Sequence, residues 1–489
     1  MGLSRRFLNL IVDNRIPGAK SLRCIDLRRH KLFNTTIPVV QRKGHRSESE
    51  LPQDATPLAD NHKSKIGTSP LPAPSTNLGA SAKNPLPAPS INLGASTMGY
   101  SMETCVLKPR ETPVFSPESS ASHANDRKNY NQAAASIIRK IRTIQLPQPI
   151  MNFHCSFDDC HWYLDCLPLA GRKVLCVDPS AHTVLFDVVT RQLETIPYFN
   201  LRKRSPLPCW VPLPSSADAT DDGNGSFYIL EGSPNHELQG TRQQPTNQFE
   251  AFVYHNESKS WQRQLLPPPP FICDPKHYEH YRHPDITSYA VVERGGSHVI
   301  FVSVDCAGTY CLDTVTHTWS YVGNWVLPFK GKVEYVPELK LWFGICNEGL
   351  QLGAADLSTM DSQPQIVGTW KELKAPGGWT ELKPPQLVNL GSGRFCITRF
   401  FRALLNPMAF SVNPMAFCDS EYYDPVEAEY FTVLTGIDVV PCVHDAHGTS
   451  SDTFSGGNGS KGKVELQMIK HNSRRHMSYG SDGNIEVVF

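Results

Sequence analysis

From residue 150 almost to residue 489, short apolar runs alternate with polar segments rich in Pro and Gly. Runs of that length, bounded by turn residues, predict β-strands rather than helices. The clearest fall at 173–177, 183–189, 226–231, 249–255, 288–292, 299–304, 309–312, 332–335, 341–346, 352–357, 386–390, 394–400 and 430–435. One phrase returns among them in a fixed register: Ile25 to Leu32, Phe186 to Leu193, Tyr254 to Trp261 and Leu312 to Trp319. Each copy opens on a large apolar residue, usually followed by Asp, and places a second apolar residue seven positions after the first. Two strand ends joined by a tight polar turn give that pattern.

Repetition at intervals of roughly 40–70 residues predicts an all-β propeller with one phrase per blade. The strands divide into blades at about 150–200, 207–270, 285–328, 330–373 and 386–441. Two strand pairs are left over, 7–12 with 21–33 and 464–469 with 485–488. A lone pair is barely stable, so the two chain ends are expected to combine into a sixth, closing blade. Five or seven blades remain open alternatives.

Between about 39 and 131 the apolar periodicity stops, and Pro, Ser, Ala, Asn and Lys dominate. Pro70 to Ser81 is repeated at Pro85 to Ser96 with one change, Thr76 to Ile91. Such a segment buries too little apolar surface to offset its conformational entropy, so a disordered insert is expected. It would leave the fold between the closing blade and the next one, as long loops cost little extra closure entropy. Residues 132–146 predict a short helix and linker, with Ile137, Ile138 and Ile141 on one side. The expected organisation is therefore 1–38 completing the closing blade, 39–131 the insert, 132–146 the linker and 147–489 the propeller.

Charge narrows the functional classes. Lys plus Arg and Asp plus Glu both total 47, a formal net charge of zero, which argues against a globally basic nucleic-acid binder. No apolar run approaches the roughly 18 residues of a membrane span. The opening residues make a poor secretory signal because Asn9 breaks their apolar stretch, and Arg6 defeats a myristoylation pattern. Early arginines and the lack of acidic residues before Asp13 are features of a transit peptide. Without a secretory signal the 14 cysteines are expected to be reduced thiols, in the cytoplasm or nucleus.

The phrase resembles the strand-turn-strand end of kelch repeats, best at Tyr254 to Trp261 and at Leu312 to Trp319, the latter preceded by Gly295-Gly296. More of the chain is similar to a large, uncharacterised protein family expanded in grasses. That resemblance is carried by 1–27, 308–320, 331–346, 354–373, 389–401 and 463–489. It implies a plant source and a kelch-like propeller, and it brings no activity and no catalytic residues. Plant kelch proteins often carry an F-box, but no such helical segment precedes the first blade.

Candidate chemistry is sparse. His154, Cys155, Cys160, His161 and Cys166 have zinc-ligand character, but the cysteine spacing is at its limit and no second half-site lies near. His277, His280 and His283 stand three apart between Pro275 and Pro284, where a loop is the simpler reading. His444 and His447 belong to a Gly-rich connection, and Lys470 to His476 is a basic stretch read as a solvated hairpin or a weak phosphate contact. Neither a Gly-x-Ser-x-Gly elbow nor a Gly-Lys-Ser/Thr phosphate loop occurs. The leading expectation is a non-enzymatic propeller that needs no cofactor and binds a protein or peptide through inter-blade loops. Segments 198–210, 267–281 and 370–379 are the candidate face, with Trp210, Tyr278, Tyr281, Trp370 and Trp379 as binding residues, since aromatics dominate interface energetics. The alternative is an enzyme or carbohydrate-binding propeller with its site at the axial channel.

Overall fold

The computed structural model describes residues 5–34, 90–93, 140–155, 163–169, 171–212, 225–234, 248–274, 276–277, 284–376, 378–404, 428–442, 465–478 and 483–489. All belong to one unit made of 1–34 and 88–489. The described residues are mostly β, with a helical turn at Pro270–Cys273 and isolated helical residues at 140 and 276–277, and none of their helices is long and apolar enough to cross a membrane.

In chain order, β1 (Phe7–Ile16) and β2 (Ala19–Asp26) form a hairpin. β3 (Ser90–Leu93), β4 (Arg142–Thr143) and β5 (Met151–Cys155) follow. A four-stranded antiparallel meander is formed by β6 (Asp165–Pro168), β7 (Lys173–Val177), β8 (Thr183–Asp187) and β9 (Leu193–Thr195). The next consists of β10 (Pro206–Pro212), β11 (Gly225–Glu231), β12 (Phe249–His255) and β13 (Ser260–Leu265). Then come β14 (Ile286–Arg294), β15 (Ser297–Val304), β16 (Gly308–Asp313) and β17 (Trp319–Gly323). They are followed by β18 (Phe329–Val336), β19 (Leu341–Cys346), β20 (Leu352–Ala355) and β21 (Ile366–Trp370). Parallel pairing of β14 with β18, from Ser288 opposite Gly331 to Ala290 opposite Val333, joins these two meanders into one sheet. Last are β22 (Trp379–Gly391), β23 (Arg394–Leu404), β24 (Ala428–Pro441), β25 (Leu466–Met477) and β26 (Asn484–Val488).

Strands from both ends of the chain share the terminal sheet, ordered β26-β1-β2-β5-β3. Asn9 and Phe489 exchange backbone hydrogen bonds of 2.9 and 3.0 Å there. The expected pairing of the two chain ends is therefore present, but its composition differs. Residues 464–469 are not part of this sheet; β25 instead lies along β24, with Ile437 opposite Lys470 and Val439 opposite Met468. β24 is buried over most of its length and needs a partner on each side. The strand that covers it is polar because it is an outer strand, which hides it from an apolar-run reading. β5 supplies the fourth strand of the terminal sheet, so the long insert enters between β2 and β5, inside that sheet. Of the insert, only Ser90–Leu93 is described, as a strand parallel to β5. The expected helix lies mostly outside the described residues, and Arg142–Thr143 is extended alongside β25.

The recurring phrase is the turn that leaves a third strand. Asp26 accepts the Arg28 and Arg29 N–H groups at 3.0 and 3.4 Å. Asp187 accepts those of Val189 and Thr190 at 2.9 and 3.0 Å, and Asp313 those of Val315 and Thr316 at 2.8 and 2.9 Å. Each turn closes through a left-handed residue: Lys31, Arg191, Lys259 and His317, with φ between 48 and 58°. A short carboxylate that can bond its own backbone two and three residues on is what such a turn selects.

Side chains from neighbouring groups of strands make the core. Leu175 and Leu185 meet Phe227, Ile229 and Phe252; Tyr228 and Leu230 meet Ile300 and Val302. Phe301 packs with Phe329 and Trp342, and Phe343 with Phe395 and Ile437. Cys396 and Leu434 join Leu8, Leu10 and Leu32. Ile11 and Phe153 then meet Val174 and Phe186 of the β6–β9 meander.

Candidate peptide-binding groove

The second strand of the β6–β9 meander, Lys-Val-Leu-Cys-Val, is buried at every position including its lysine. A lysine there must keep a partner for its charge. The Lys173 ammonium sits 5.7 Å from the Trp210 ring and 5.8 Å from the Trp261 ring. It also donates to Glu194 at 3.4 Å, and the other oxygen of Glu194 accepts Trp261 Nε1–H at 2.8 Å. One cation, one carboxylate and two indoles thus lock β9 to β13 across two meanders. Cation–π contacts of this kind strengthen as water is excluded.

Above this floor lies an open groove of about 710 Å³, lined by Gln192, Glu194, Pro197, Tyr198, Tyr254, Lys259 and Trp261 among others. Tyr198 is 54% exposed. Its ring stands edge-on to His182 at 4.5 Å, and His182 Nδ1 is 2.8 Å from the buried carboxylate of Asp178. On the opposite wall Tyr254 packs on Trp261 at 5.2 Å, and Trp261 on Phe227 at 5.1 Å.

The connector that follows Tyr198 is held from below. Glu250, fully buried, accepts the Asn200 N–H at 3.0 Å and pairs with Lys203. Burial pushes the Lys203 ammonium below its ordinary value, opposed by Glu250. Glu231 accepts the N–H groups of Arg204 and Ser205 at 2.9 and 3.1 Å. Arg263 donates to the Tyr198 carbonyl at 2.6 Å. The groove is therefore a fixed aromatic surface with polar ends, suited to stacking and hydrogen bonding against an extended chain.

The sequence-derived candidates are scattered. Trp210 lies in β10, half-buried under the groove floor, where its ring faces Lys173. Trp370 ends β21 and stacks on Phe343 at 6.3 Å. Trp379 opens β22 at 8% exposure, packed against Phe401 at 5.0 Å and Phe431 at 4.7 Å, so it offers a partner little surface. Tyr278 and Tyr281 lie outside the described residues, as do Cys160, His161, His280, His283, His444 and His447. His277 stands 3.9 Å from Asp274, and Cys166 lies 3.7 Å from Cys176, both buried. Among the described residues no three His, Cys, Asp or Glu side chains are grouped to hold a metal ion. The basic stretch 470–476 is part of β25. There His471 faces Asp438 at 3.2 Å, and Arg474 donates to the His30 and Lys31 carbonyls at 2.9 and 2.7 Å. Arg474 also joins Arg29, Lys31 and Arg142 around a cleft of about 760 Å³, and burial followed by Arg142 pushes its guanidinium down.

Lys173 and Glu194 are not among the sequence candidates. A lysine opening an otherwise apolar strand is the available signal; Glu194 offers none, since it meets Trp261 from 67 residues away.

No curated protein matches the chain. Among solved structures, a structural genomics protein of unknown function from Bacteroides thetaiotaomicron is 12% identical, with a TM-score of 0.28, covering 50% of this chain and 55% of that one. The Cps50 (Swd1) β-propeller domain of Myceliophteria thermophila is 8% identical, with a TM-score of 0.28 and coverages of 50% and 70%. The Dos1 propeller is 14% identical, with a TM-score of 0.27 and coverages of 51% and 58%. The chain spans little more than half the length of the first and last of these. The profile of a family described as "Protein of unknown function (DUF1668)" matches residues 5–476, so the chain belongs to that family.

Proposed function

We propose that this chain is a non-enzymatic scaffold, a six-bladed propeller that binds an extended segment of a protein partner in the groove between β9 and β13. Support for the ring is the order of the cores: each joins one group of strands to the next along the chain, and the last returns to the terminal sheet. The Trp that ends the turns at Trp261 and Trp319 fits a kelch-like blade.

The observation that carries the binding reading is the exposed Tyr198 opposite Tyr254 and Trp261, braced from behind by Asp178–His182 and Lys173–Glu194. Rigid aromatics lose little entropy on binding and are the usual anchors of interfaces. The test is selection of peptides from a displayed library of the source proteome, on the parent chain and on Tyr198→Ala/Lys259→Glu. Peptides that bind the parent should lose at least about tenfold on the variant, since an anchor is worth about 2 kcal/mol or more. Selected peptides that bind both chains equally would remove the groove from the function.

A further inference from the structure

The parallel strand that the insert lays on β5 pairs Ser90 with Asn152, Ile91 with Phe153, Asn92 with His154 and Leu93 with Cys155. Comparing the two strands uncovers a third copy of the insert repeat. Leu71-Pro72-Ala73-Pro74-Ser75-Thr76-Asn77-Leu78-Gly79-Ala80-Ser81 and Leu86-Pro87-Ala88-Pro89-Ser90-Ile91-Asn92-Leu93-Gly94-Ala95-Ser96 align with Leu146-Pro147-Gln148-Pro149-Ile150-Met151-Asn152-Phe153-His154-Cys155-Ser156. Leu, both Pro, Asn and Ser are shared by all three, and an apolar residue follows Asn in each. The third copy is β5 itself, the strand that pairs with β2.

We propose that the edge of β2 is a docking site for this Leu-Pro-x-Pro-x-x-Asn-apolar segment. Residues 151–153 fill it in most molecules, and the copy at 91–93 fills it in a minor fraction. Four observations carry this. The 90–93 strand already lies in the same sheet and runs in the direction of β5, so no reversal is needed to replace it. Its register is displaced from the aligned one by two residues, an even slip that keeps the strand period of two. Ile91 and Leu93 align with the buried Met151 and Phe153 of β5, a replacement of apolar by apolar. The pairs Leu22–Met151, Ser21–Asn152 and Lys20–Phe153 would become Leu22–Ile91, Ser21–Asn92 and Lys20–Leu93.

Loop lengths set the population. Exchange lengthens the connection to β6 from about 10 to about 70 residues, and shortens that from β2 from about 125 to about 65. Loop-closure scaling with the 3/2 power of length then disfavours the exchanged form roughly sevenfold, and exchanging Phe153 for a leucine adds to that bias.

The experiment uses the full chain with paired cysteines, oxidised and mapped by peptide digestion. Ser21→Cys with Asn152→Cys is the reference; Ser21→Cys with Asn92→Cys reports exchange. The disulfide between positions 21 and 92 is expected in at most about a tenth of molecules, rising several-fold when Phe153→Ala is added. No such link where the reference forms readily, or a link that ignores Phe153→Ala, would overturn the proposal. A second measurement is amide exchange at residues 19–22 of Phe153→Asp, with and without residues 85–96. Protection that survives only when 85–96 is present supports exchange; equal protection in the two chains overturns it.

Discussion

Asp26, Asp187 and Asp313 occupy the same place in three turns, and the surroundings of each hold its carboxyl below the usual range. For Asp26 the Arg6 hydrogen bond lowers it to about 2. Asp187 is buried, which alone would raise it, but the Thr190 N–H and Arg172 outweigh that. The Thr316 N–H lowers Asp313. Carboxylates whose folded value is depressed contribute stability above the unfolded value of about 3.9 and lose it as pH falls toward the folded one. Stability against urea should therefore weaken from about pH 4 down to pH 2. The triple change Asp26→Asn/Asp187→Asn/Asp313→Asn should flatten that slope, and identical slopes would refute the assignment. At the other electrostatic extreme, buried Arg399 binds both oxygens of Glu372, reaches Glu381 at 3.0 Å and donates to the Leu350 carbonyl at 2.6 Å. Arg399→Met should cost about 3–5 kcal/mol by orphaning Glu372, and adding Glu372→Gln should recover part of that in denaturation curves. A double variant weaker than the single would show that the pair's charges are not what matters.

Among elements, β22 and the two tryptophans of the 370–379 segment separate what sequence can express from what it cannot. The apolar run at 386–390 marks a strand, yet β22 begins at Trp379 and passes through Pro384 and Pro385. Prolines cannot donate to a ladder, and the register indeed slips between Lys383 and Gln386. Nothing local to the prolines signals that the strand extends before them. Turn residues and strand centres were legible because they obey local rules. The identity of an outer strand's partner was not, because polar strands such as β25 are chosen by what they cover. The same limit applies to the tryptophans, whose spacing could not say which is inside. Trp379→Ala should cost about 3–5 kcal/mol and Trp370→Ala about 1–2 kcal/mol, measured by chemical denaturation. Equal costs would mean that the Phe401–Phe431 cluster does not depend on its indole.

On the scale of the molecule, the terminal sheet is the joint that ties the two ends of the chain together. β26 pairs β1 from Leu10 opposite Val488 to Asp13 opposite Asn484, and Lys383 and Gln386 both donate to the Glu486 carbonyl. Removing residues 484–489 should do more harm than six residues of an edge strand normally would. A closed ring predicts a large fall in melting temperature and a broadened calorimetric transition; a fall of only a few degrees would speak for sheets that stand independently. The groove belongs to this scale as well. Its Tyr254 and Trp261 were visible in the repeated phrase as strand ends, while its shape arises only when β9 and β13 are set side by side.

The same joint has a meaning in time. β1 and β26 are separated by about 470 residues of chain. At synthesis rates of about 5–20 residues per second, β1 leaves the ribosome about 25–100 s before its partner exists. Throughout that interval the edge of β1 that receives β26, from Leu10 to Asp13, lacks its native strand. Polysomes making this protein would hold many such edges close together, so its yield in a cell should respond to chaperone supply and translation speed more than to the final stability of the fold.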